Sequence, residues 1–342
     1  MPEPVSLILT VLNEADTVPT LMTSVCTQTR PPDEVIVVDG GSTDHTLSAL
    51  RAFEAHLPLR VFVEPGANIS RGRNRAISEA HHDLIAVTDA GVRLDPRWLE
   101  HLTAPFAAPD PPDFVSGFFL PDPHTLFEVA LAATTLPAQE EMGRGRFMPS
   151  SRSVAFRRHV WEAVGGYPEW ADFSEDVLFD LAVQARGFRI AYAPDAIVYF
   201  RPRPSLRAFA RQYRQYALGD GQGLLWPTRH AIRYATYVGL VPALATLARR
   251  HPKMAGTLWA LGATAMFYTP YKRLWRMRSS LRRREWPLAA LLVPLIRVTG
   301  DVAKMWGYPQ GLPQGWRHRE RVRAYVRGET TRRRNGCALG AE

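Results

Sequence analysis

The chain has 342 residues, of which 46% are hydrophobic and 22% are charged, and its formal net charge is +9. This composition is too apolar for a disordered protein, and its irregular pattern excludes collagens and coiled coils. The length fits one large or two modest globular domains. The only cysteines, Cys26 and Cys337, lie at opposite ends of the sequence, which excludes a disulfide framework and predicts a reducing compartment, by default the cytoplasm.

Positive charge is concentrated in the second part of the chain. Residues 201–342 hold 27 of the 42 Lys and Arg residues but only 6 of the 33 Asp and Glu residues. This excess predicts either a solvated Arg-rich surface or an anionic partner, which could be nucleic acid, a phospholipid surface or a phosphorylated substrate. The first apolar segment, Val5–Leu12, is too short for a signal-peptide core, so we expect the protein to stay where it is made.

In the first two hundred residues, short β-rich apolar runs alternate with amphipathic segments of helical length. The predicted strands are Val5–Val11, Glu34–Asp39, Leu59–Glu64 and Leu84–Thr88, and the predicted helices are Glu14–Thr27, Thr43–Ala55 and about Ser70 to His81. This alternation is typical of a parallel sheet covered by helices. We therefore predict an open α/β sheet whose ligand site lies at the carboxyl ends of its strands.

Carboxylates and amides follow three of these strands, in Thr10–Glu14, Asp39–Asp44 and Thr88–Gly91. Asp39 could accept hydrogen bonds from a base or a ribose while the two following glycines let the backbone come close, but a turn with a helix cap explains Asp-Gly-Gly-Ser equally well. No Gly-x-Gly-x-x-Gly follows the first strand and no phosphate-loop motif occurs, so dehydrogenases and phosphate-loop NTPases are excluded.

Five motifs in order resemble glycosyltransferase family 2, a family of inverting transferases with the GT-A fold. The motifs are Thr10–Glu14 (TVLNE), Val37–Asp44 (VVDGGSTD), Gly72–Asn74 (GRN), Thr88–Gly91 (TDAG) and Ser174–Asp176 (SED). Each motif alone is weak, but the set in this order is specific. The resemblance implies that residues 1–223 form a Rossmann-like open mixed sheet flanked by helices, which binds a nucleotide sugar.

The resemblance implies a set of donor-binding residues: Thr10, Asn13, Glu14, Asp39, Arg73, Asn74, Asp89 and Arg214. In this set Asp39 accepts from uracil or ribose, and Arg73 suits a diphosphate because its guanidinium is planar and permanently charged. Arg71, Arg73 and Arg75 alternate along a helix, so only one or two of them can point into the site. The others would be solvated.

The resemblance also implies a divalent cation, Mg²⁺ or Mn²⁺, held against the diphosphate by an Asp-x-Asp motif. Asp89 matches the first acid of that motif, but Gly91 stands where the second acid is expected. A single carboxylate together with substrate phosphates can hold such an ion. The alternatives are weaker metal binding and partial replacement of the ion by an arginine.

Asp176 is the predicted general base, with Glu175 beside it. An inverting displacement needs a carboxylate that takes the acceptor's proton as the hydroxyl oxygen attacks the anomeric carbon. The same two acids also suit the first turn of a helix, where negative charge is favourable, and both roles are compatible.

The segment Arg211–Tyr216 lies where processive relatives carry Gln-x-x-Arg-Trp, but here it reads Arg-x-x-Arg-Gln. This difference favours a non-processive enzyme. Arg214 is then either a diphosphate contact or part of the basic face of a helix.

Residues 224–329 form a basic, apolar region that we expect to be helical and membrane-associated. Its apolar stretches, Ile232–Ala248, Ala255–Tyr271 and Pro287–Val298, are each marginal for a span, which needs about 20 apolar residues. Because both connecting segments are basic, we favour helices seated on or in the cytoplasmic leaflet over crossing helices. A soluble helical bundle is the alternative. Residues 330–342 are predicted to be a flexible tail.

The sequence therefore predicts a non-processive, inverting transferase that uses a UDP-linked sugar and a hydroxyl acceptor, lipid-linked or belonging to a bacterial cell envelope. It would act at the cytoplasmic face of the membrane. The alternatives are a nucleotidyltransferase on a related fold and a basic binding protein whose transfer site has decayed. No nucleic acid partner is expected, because the sequence has no recognition motif for one.

Overall fold

The computed structural model describes residues 2–142 and 148–328. Its strands are β1 (Val5–Val11), β2 (Glu34–Asp39), β3 (Leu59–Val63), β4 (Leu84–Val87), β5 (Val92–Leu94), β6 (Phe114–Pro121), β7 (Val154–Arg157) and β8 (Ile190–Phe200). They form one eight-stranded sheet in the order β3-β2-β1-β4-β7-β6-β8-β5. The first four strands are parallel, whereas β7 runs antiparallel to β4 and β6. The predicted open mixed sheet is confirmed.

Helices flank the sheet and continue beyond it. Those of the first part are α1 (Val18–Cys26), α2 (Thr46–Arg51), α3 (Ile69–Glu79), α4 (Trp98–Thr103), α5 (Leu126–Thr135), α6 (Arg158–Val164) and α7 (Glu175–Ala185). The later ones are α8 (Leu206–Gln222), α9 (Pro227–Tyr234), α10 (Val241–Arg250), α11 (Pro252–Arg276), α12 (Trp286–Arg317) and α13 (Arg319–Arg327). A π-helical segment, Ala235–Leu240, joins α9 to α10 without a break.

The predicted boundaries of β1 and β2 are confirmed to the residue, but α2 begins at Thr46 rather than Thr43. The reason is a pair of hydrogen bonds between the loop after β1 and the loop after β2. Ser42 Oγ accepts from the Asn13 backbone N–H at 2.8 Å, and Asn13 Oδ1 accepts from the Thr43 N–H at 2.9 Å. Asn13 has φ +55° in this arrangement. Because Ser42 and Thr43 bind the loop after β1, they do not start the helix.

The core lies on both faces of the sheet. Along β1, Leu7 and Leu9 pack on the face that holds Trp98, while Ile8 packs on the face that holds Phe156, and all five are buried. Alternate residues of a strand point to opposite faces, so one apolar strand serves two layers. Full burial of each aliphatic side chain contributes about 1.5–3 kcal/mol.

A close approach of α3 to β1 brings the predicted GRN motif to the carboxyl edge of the sheet. A Cβ atom on Gly72 would lie 2.6 Å from Cγ2 of Thr10, so only glycine fits at this contact. Gly72 thus sets the position of the neighbouring Arg73.

The C-terminal helices are anchored through α8, along which α12 packs. Glycines of α12 face α8, and a Cβ on Gly311 would lie 2.0 Å from the Leu218 carbonyl oxygen. On its other side α8 approaches the segment before α7, where a Cβ on Gly219 would lie 2.6 Å from the Phe173 carbonyl oxygen. The backbone of α8 is therefore held between α12 and the start of α7.

The continuous helix Pro227–Arg250 and α11 pack as a hairpin joined at His251, and they carry exposed apolar side chains. Within the described residues, Pro227–Arg250 is the one helix with the length and mean hydropathy, 1.3, of a candidate membrane span. Its 24 residues extend about 36 Å at 1.5 Å per residue. The predicted boundary after residue 223 falls between α8 and α9 and stays a prediction, and the predicted tail, residues 330–342, lies outside the described residues.

Replacing Gly311 with Ala tests the contact between α8 and α12. The added methyl group would overlap the α8 backbone, so we expect Gly311→Ala to lower the free energy of unfolding by about 1–3 kcal/mol. The control is Gly262→Ala on α11, where nothing lies within 4 Å of the new Cβ and helix propensity favours Ala. Denaturant unfolding of the purified proteins followed by circular dichroism measures both changes. Equal stability of Gly311→Ala and wild type would contradict the contact.

Candidate active site

Three predicted segments meet at one edge of the sheet. The neighbouring parallel strands β2, β1 and β4 end there, and their register pairs Val11 with Asp39 and Ile8 with Val87. The loop after β1, the Asp39 turn and Asp89 after β4 therefore lie side by side. This is the edge at which open α/β sheets bind ligands.

Asp39 binds the turn through one oxygen, and its other oxygen has no partner among the described residues. It is fully buried, and its Oδ1 accepts from the Gly41 N–H at 2.7 Å and the Ser42 N–H at 2.6 Å. Its Oδ2 is buried and has no hydrogen-bond partner among the described residues. A buried acceptor without a partner costs about 1–3 kcal/mol, which a donor group of a ligand would offset. Asp39 thus forms the turn with one oxygen, and its binding to a ligand stays a prediction.

The loop after β1 is fixed to the start of α2. Besides the Asn13 contacts, the Glu14 N–H donates to Thr46 Oγ1 at 2.8 Å, and the Glu14 carboxylate accepts from the Thr17 hydroxyl. Thr10 lies beneath Gly72 of α3. These contacts hold Thr10, Asn13 and Glu14 beside Asp39 as one polar rim.

Arg73 joins the end of β4 to the start of α7. Its side chain is 3% exposed, and it donates to Asp89 Oδ1 at 2.8 Å and to Glu175 Oε1 at 2.9 Å. Its guanidinium carbon also lies 5.1 Å from the centre of the Tyr167 ring. Such charge-assisted hydrogen bonds are the strong ones, so Arg73 fixes two acids relative to each other.

The other predicted basic and amide residues occupy different places. Arg71 pairs with Glu64 and Arg75 with Glu79 on the outer surface, so Arg73 alone of the three faces the acids. The Asn74 side chain bonds the turn before Tyr167: Oδ1 accepts from the Tyr167 and Trp161 N–H groups, and Nδ2 donates to the Tyr167 carbonyl. Arg214 donates to Gln310 of α12 at 3.3 Å. The structure does not bring Asn74 or Arg214 into hydrogen-bond contact with Asp89 within the described residues.

The start of α7 presents the predicted base. Ser174 has φ +60°, α7 begins at Glu175, and Asp176 Oδ1 accepts from the Val177 N–H at 2.8 Å. Asp176 is partly exposed at the site, whereas Glu175 and Asp180, one turn on, are buried. The predicted place of both acids in the first turn of a helix is confirmed, and this helix start fixes Asp176 beside the Arg73 cluster; its role as base stays a prediction.

Burial changes the acidity of two of these groups. Burial, followed by the neighbouring Asp176 carboxylate, raises the pKa of Glu175 to about 7, against the opposing effect of Arg73. Burial likewise raises the pKa of Asp180 well above its usual range. Perturbed carboxyl groups at a polar edge are typical of functional sites.

Sequence reasoning missed Arg152, which lies opposite Asp89. The antiparallel register pairs Val87 with Val154, and continuing it beyond this pair places Arg152 across from Asp89. Arg152 Nε lies 3.6 Å from Asp89 Oδ2, and the Thr88 hydroxyl donates to the Arg152 carbonyl at 2.8 Å. The apolar run after Arg152 predicts a strand, but only the pairing with β4 identifies its neighbour.

The acids at this edge do not form a metal centre by themselves. Both oxygens of Asp89 face guanidinium groups, and Gly91 supplies no second acid. Residues 2–142 and 148–328 contain no group of three or more His, Cys, Asp or Glu side chains arranged to hold a metal ion. This donor set does not fit the divalent cation that the sequence predicts.

The chain matches two family models over most of its length. The model described as glycosyl transferase family 2 matches residues 6–146, and the model described as glycosyl transferase family group 2 matches residues 124–299. Glycosyltransferase AglE of Haloferax volcanii is 28% identical over 229 residues, which cover 65% of this chain and 74% of that protein. The O-antigen chain rhamnosyltransferase WbaN of Salmonella anatum is 25% identical over 50% of this chain and 57% of its own length.

A solved structure shares the fold. The mannosyltransferase PcManGT from Pyrobaculum calidifontis, solved in complex with GDP-Man and Mn²⁺, aligns with a TM-score of 0.59 at 21% identity. The alignment covers 90% of this chain and 88% of that chain. This likeness shows the GT-A fold.

The raised pKa of Glu175 predicts a specific pH dependence of stability. Because the folded value, about 7, lies above the ordinary 4.5, the stability that this group contributes is complete below its ordinary pKa and is lost as pH rises through about 7. We expect wild type to lose more unfolding free energy than Glu175→Gln between about pH 5 and about pH 8.

Urea unfolding at the two pH values measures this difference. Glu162→Gln, which changes an exposed glutamate of α6, is the control and should follow wild type. If Glu175→Gln loses as much stability as the other two proteins, the buried carboxyl group is not the cause.

Proposed function

The chain belongs to glycosyltransferase family 2, and from this premise we propose that it is an inverting, non-processive enzyme that transfers a sugar from a nucleoside-diphosphate sugar to a hydroxyl group. One observation carries the proposal: Arg73 links Asp89, at the same sheet edge as the Asp39 turn, to the helix start that bears Asp176. A donor site and a base thus share one edge of the sheet.

In the proposed reaction Asp176 takes the proton of the acceptor hydroxyl while its oxygen attacks the anomeric carbon. The nucleoside diphosphate leaves from the opposite side, so the configuration inverts in a single displacement. Arg73 holds Asp89 and the start of α7 in fixed positions relative to each other. The polar rim of Thr10, Asn13 and Glu14 lines the nucleotide. A positioned base of this kind contributes about 10²–10⁴-fold to the rate.

We propose a uridine nucleotide as the donor carrier. Asp39 has one oxygen engaged by two backbone N–H groups, which leaves Oδ2 to accept a single hydrogen bond. Uracil offers one ring N–H, whereas guanine offers adjacent N–H and NH₂ donors that suit both oxygens of a carboxylate. The single unpartnered oxygen favours uracil.

The proposed steps involve no metal ion. Mg²⁺ or Mn²⁺ stays a prediction of the sequence. Since both Asp89 oxygens face arginines, no step is assigned to the ion.

We propose that the C-terminal helices seat the enzyme on the cytoplasmic leaflet of a membrane, where the acceptor is lipid-linked. Large apolar side chains are exposed along these helices: Val238, Leu240, Leu258, Trp259, Leu261, Trp275, Leu291 and Trp306. Basic residues lie at both ends of the α10–α11 hairpin, with Arg249 and Arg250 at the tip and Lys272 near the base. Cations at both ends favour a hairpin that lies along the anionic headgroups.

Replacing Asp176 with Asn tests the proposed base. We expect nucleoside-diphosphate release from the productive donor to fall by about 10²–10⁴-fold, with nucleotide affinity within about twofold of wild type. A panel of UDP-, GDP- and dTDP-sugars identifies the donor by thermal stabilisation and diphosphate release. The control is Asp83→Asn, because Asp83 pairs with Arg157 at the opposite end of β4.

Normal turnover of Asp176→Asn would contradict the role of Asp176. Release of pyrophosphate instead of nucleoside diphosphate would identify a nucleotidyltransferase, and no response to any nucleotide sugar would overturn the proposed activity.

Flotation with vesicles tests the membrane proposal. We expect the purified protein to float with phosphatidylglycerol-containing vesicles and to be released by high salt, because headgroup contacts are screened. Leu258→Glu with Leu261→Glu should abolish flotation, since charges on the apolar face are costly to bury. Val63→Glu, an exposed apolar position on β3, is the control. Retention after salt and carbonate washing would contradict a surface-seated hairpin and indicate crossing helices.

A further inference from the structure

The guanidinium of Arg152 is built into the site rather than free on its surface. Its carbon lies 4.5 Å from the centre of the Phe200 ring and 5.6 Å from that of Phe119. One end donates to Ser150 Oγ at 3.1 Å, and the side chain is 20% exposed. Aromatic contacts hold a cation in place without consuming its hydrogen-bond donors. Arg152 therefore presents a fixed charge toward Asp89.

Arg152 can bind a further anion, whereas Arg73 cannot easily do so. Arg73 is almost fully buried and uses both terminal nitrogens on Asp89 and Glu175. A guanidinium has five N–H donors, and Arg152 contacts Ser150 through Nη1, Asp89 through Nε, and the Tyr216 side chain. Its remaining donors suit a phosphate oxygen.

The Tyr216 side chain lies beside Arg152 and is hydrogen-bonded to it. Tyr216 belongs to α8, so the helix that anchors the C-terminal part also borders this cation.

The residues at positions 91 and 152 set the net charge beside the proposed diphosphate site. An Asp-x-Asp motif brings two carboxylates and a divalent cation to the diphosphate. Here Gly91 stands where the second carboxylate is expected, and Arg152 supplies a guanidinium beside Asp89. Compared with the two carboxylates of an Asp-x-Asp site, this site has one negative charge fewer and one positive charge more. This difference equals the charge of a divalent cation, so the net charge facing the diphosphate is the same without the ion.

We propose that Arg152 binds the diphosphate of the donor and neutralises the leaving group in place of a divalent cation, so that donor binding and transfer proceed without added metal. This inference rests on the proposed function, because the anion is the diphosphate of the sugar donor. Arg152 faces Asp89 across two antiparallel strands, which puts its charge at the carboxyl edge beside Asp176.

Calorimetric titration of the full chain with UDP and with GDP, in EDTA and in Mn²⁺, tests the proposal. We expect the preferred nucleotide to bind in EDTA with an affinity within about twofold of that in Mn²⁺, and Arg152→Gln to weaken binding at least about tenfold. Arg152→Lys should retain part of the affinity, because it keeps the charge but loses the planar fork. Arg157→Gln is the control, since Arg157 pairs with Glu3 and Asp83 at the other end of β4.

The outcomes separate this inference from the proposed function. Binding that requires Mn²⁺ in wild type overturns the role of Arg152, and so does full affinity of an Arg152→Gln variant whose melting profile matches wild type. If neither UDP nor GDP binds under any condition, the nucleotide-sugar function itself fails and the inference fails with it. If Arg152→Gln does not fold, the proposal is tested by nucleotide binding to wild type in EDTA and in Mn²⁺, and by the affinity of Arg152→Lys.

A gain-of-function variant gives an independent readout. Gly91→Asp restores the second acid at a position where a side chain meets no neighbour within 4 Å. We expect Mn²⁺ to tighten nucleotide binding by this variant at least about tenfold, while wild type changes less than about twofold. If Mn²⁺ changes the nucleotide affinity of the two proteins equally, the proposed replacement of the ion by Arg152 is contradicted.

Discussion

The buried ion pairs of Arg73 are the contacts on which the rest of the site depends. A guanidinium that is 3% exposed needs acceptors for its N–H groups, because a buried charged group without hydrogen-bond partners is costly. Asp89 and Glu175 supply those acceptors, and they belong to the end of β4 and the start of α7. The requirement to pair one guanidinium therefore fixes two elements that are distant in sequence.

Close backbone packing gives Arg73 its position and carries the constraint outward. Gly72 lets α3 approach β1, and Gly219 lets α8 approach the residue before Ser174. Gly311 then lets α12 lie along α8. Each of these contacts excludes a side chain, so the backbones pack closely against each other. The basic, apolar helices are thus joined by direct packing to the helix that begins beside the proposed base.

Local signals predicted much of the fold and part of the site. The apolar runs of β1 and β2 end at polar turn residues, and both strands were predicted to the residue. The predicted start of α2 at Thr43 was wrong, because Ser42 and Thr43 form hydrogen bonds with Asn13 of another loop. Such a contact competes with helix capping and leaves no local signal.

By itself the sequence determined the α/β architecture, the polar strand ends and the excess of positive charge in the later helices, because these follow from periodicity and composition. Only the tertiary structure decided that Arg73, and neither Arg71 nor Arg75, faces the acids, and that Arg152 stands opposite Asp89. Both facts depend on helix rotation and on antiparallel register. These are set by packing between segments far apart in the chain, which spacing along one strand or helix does not encode.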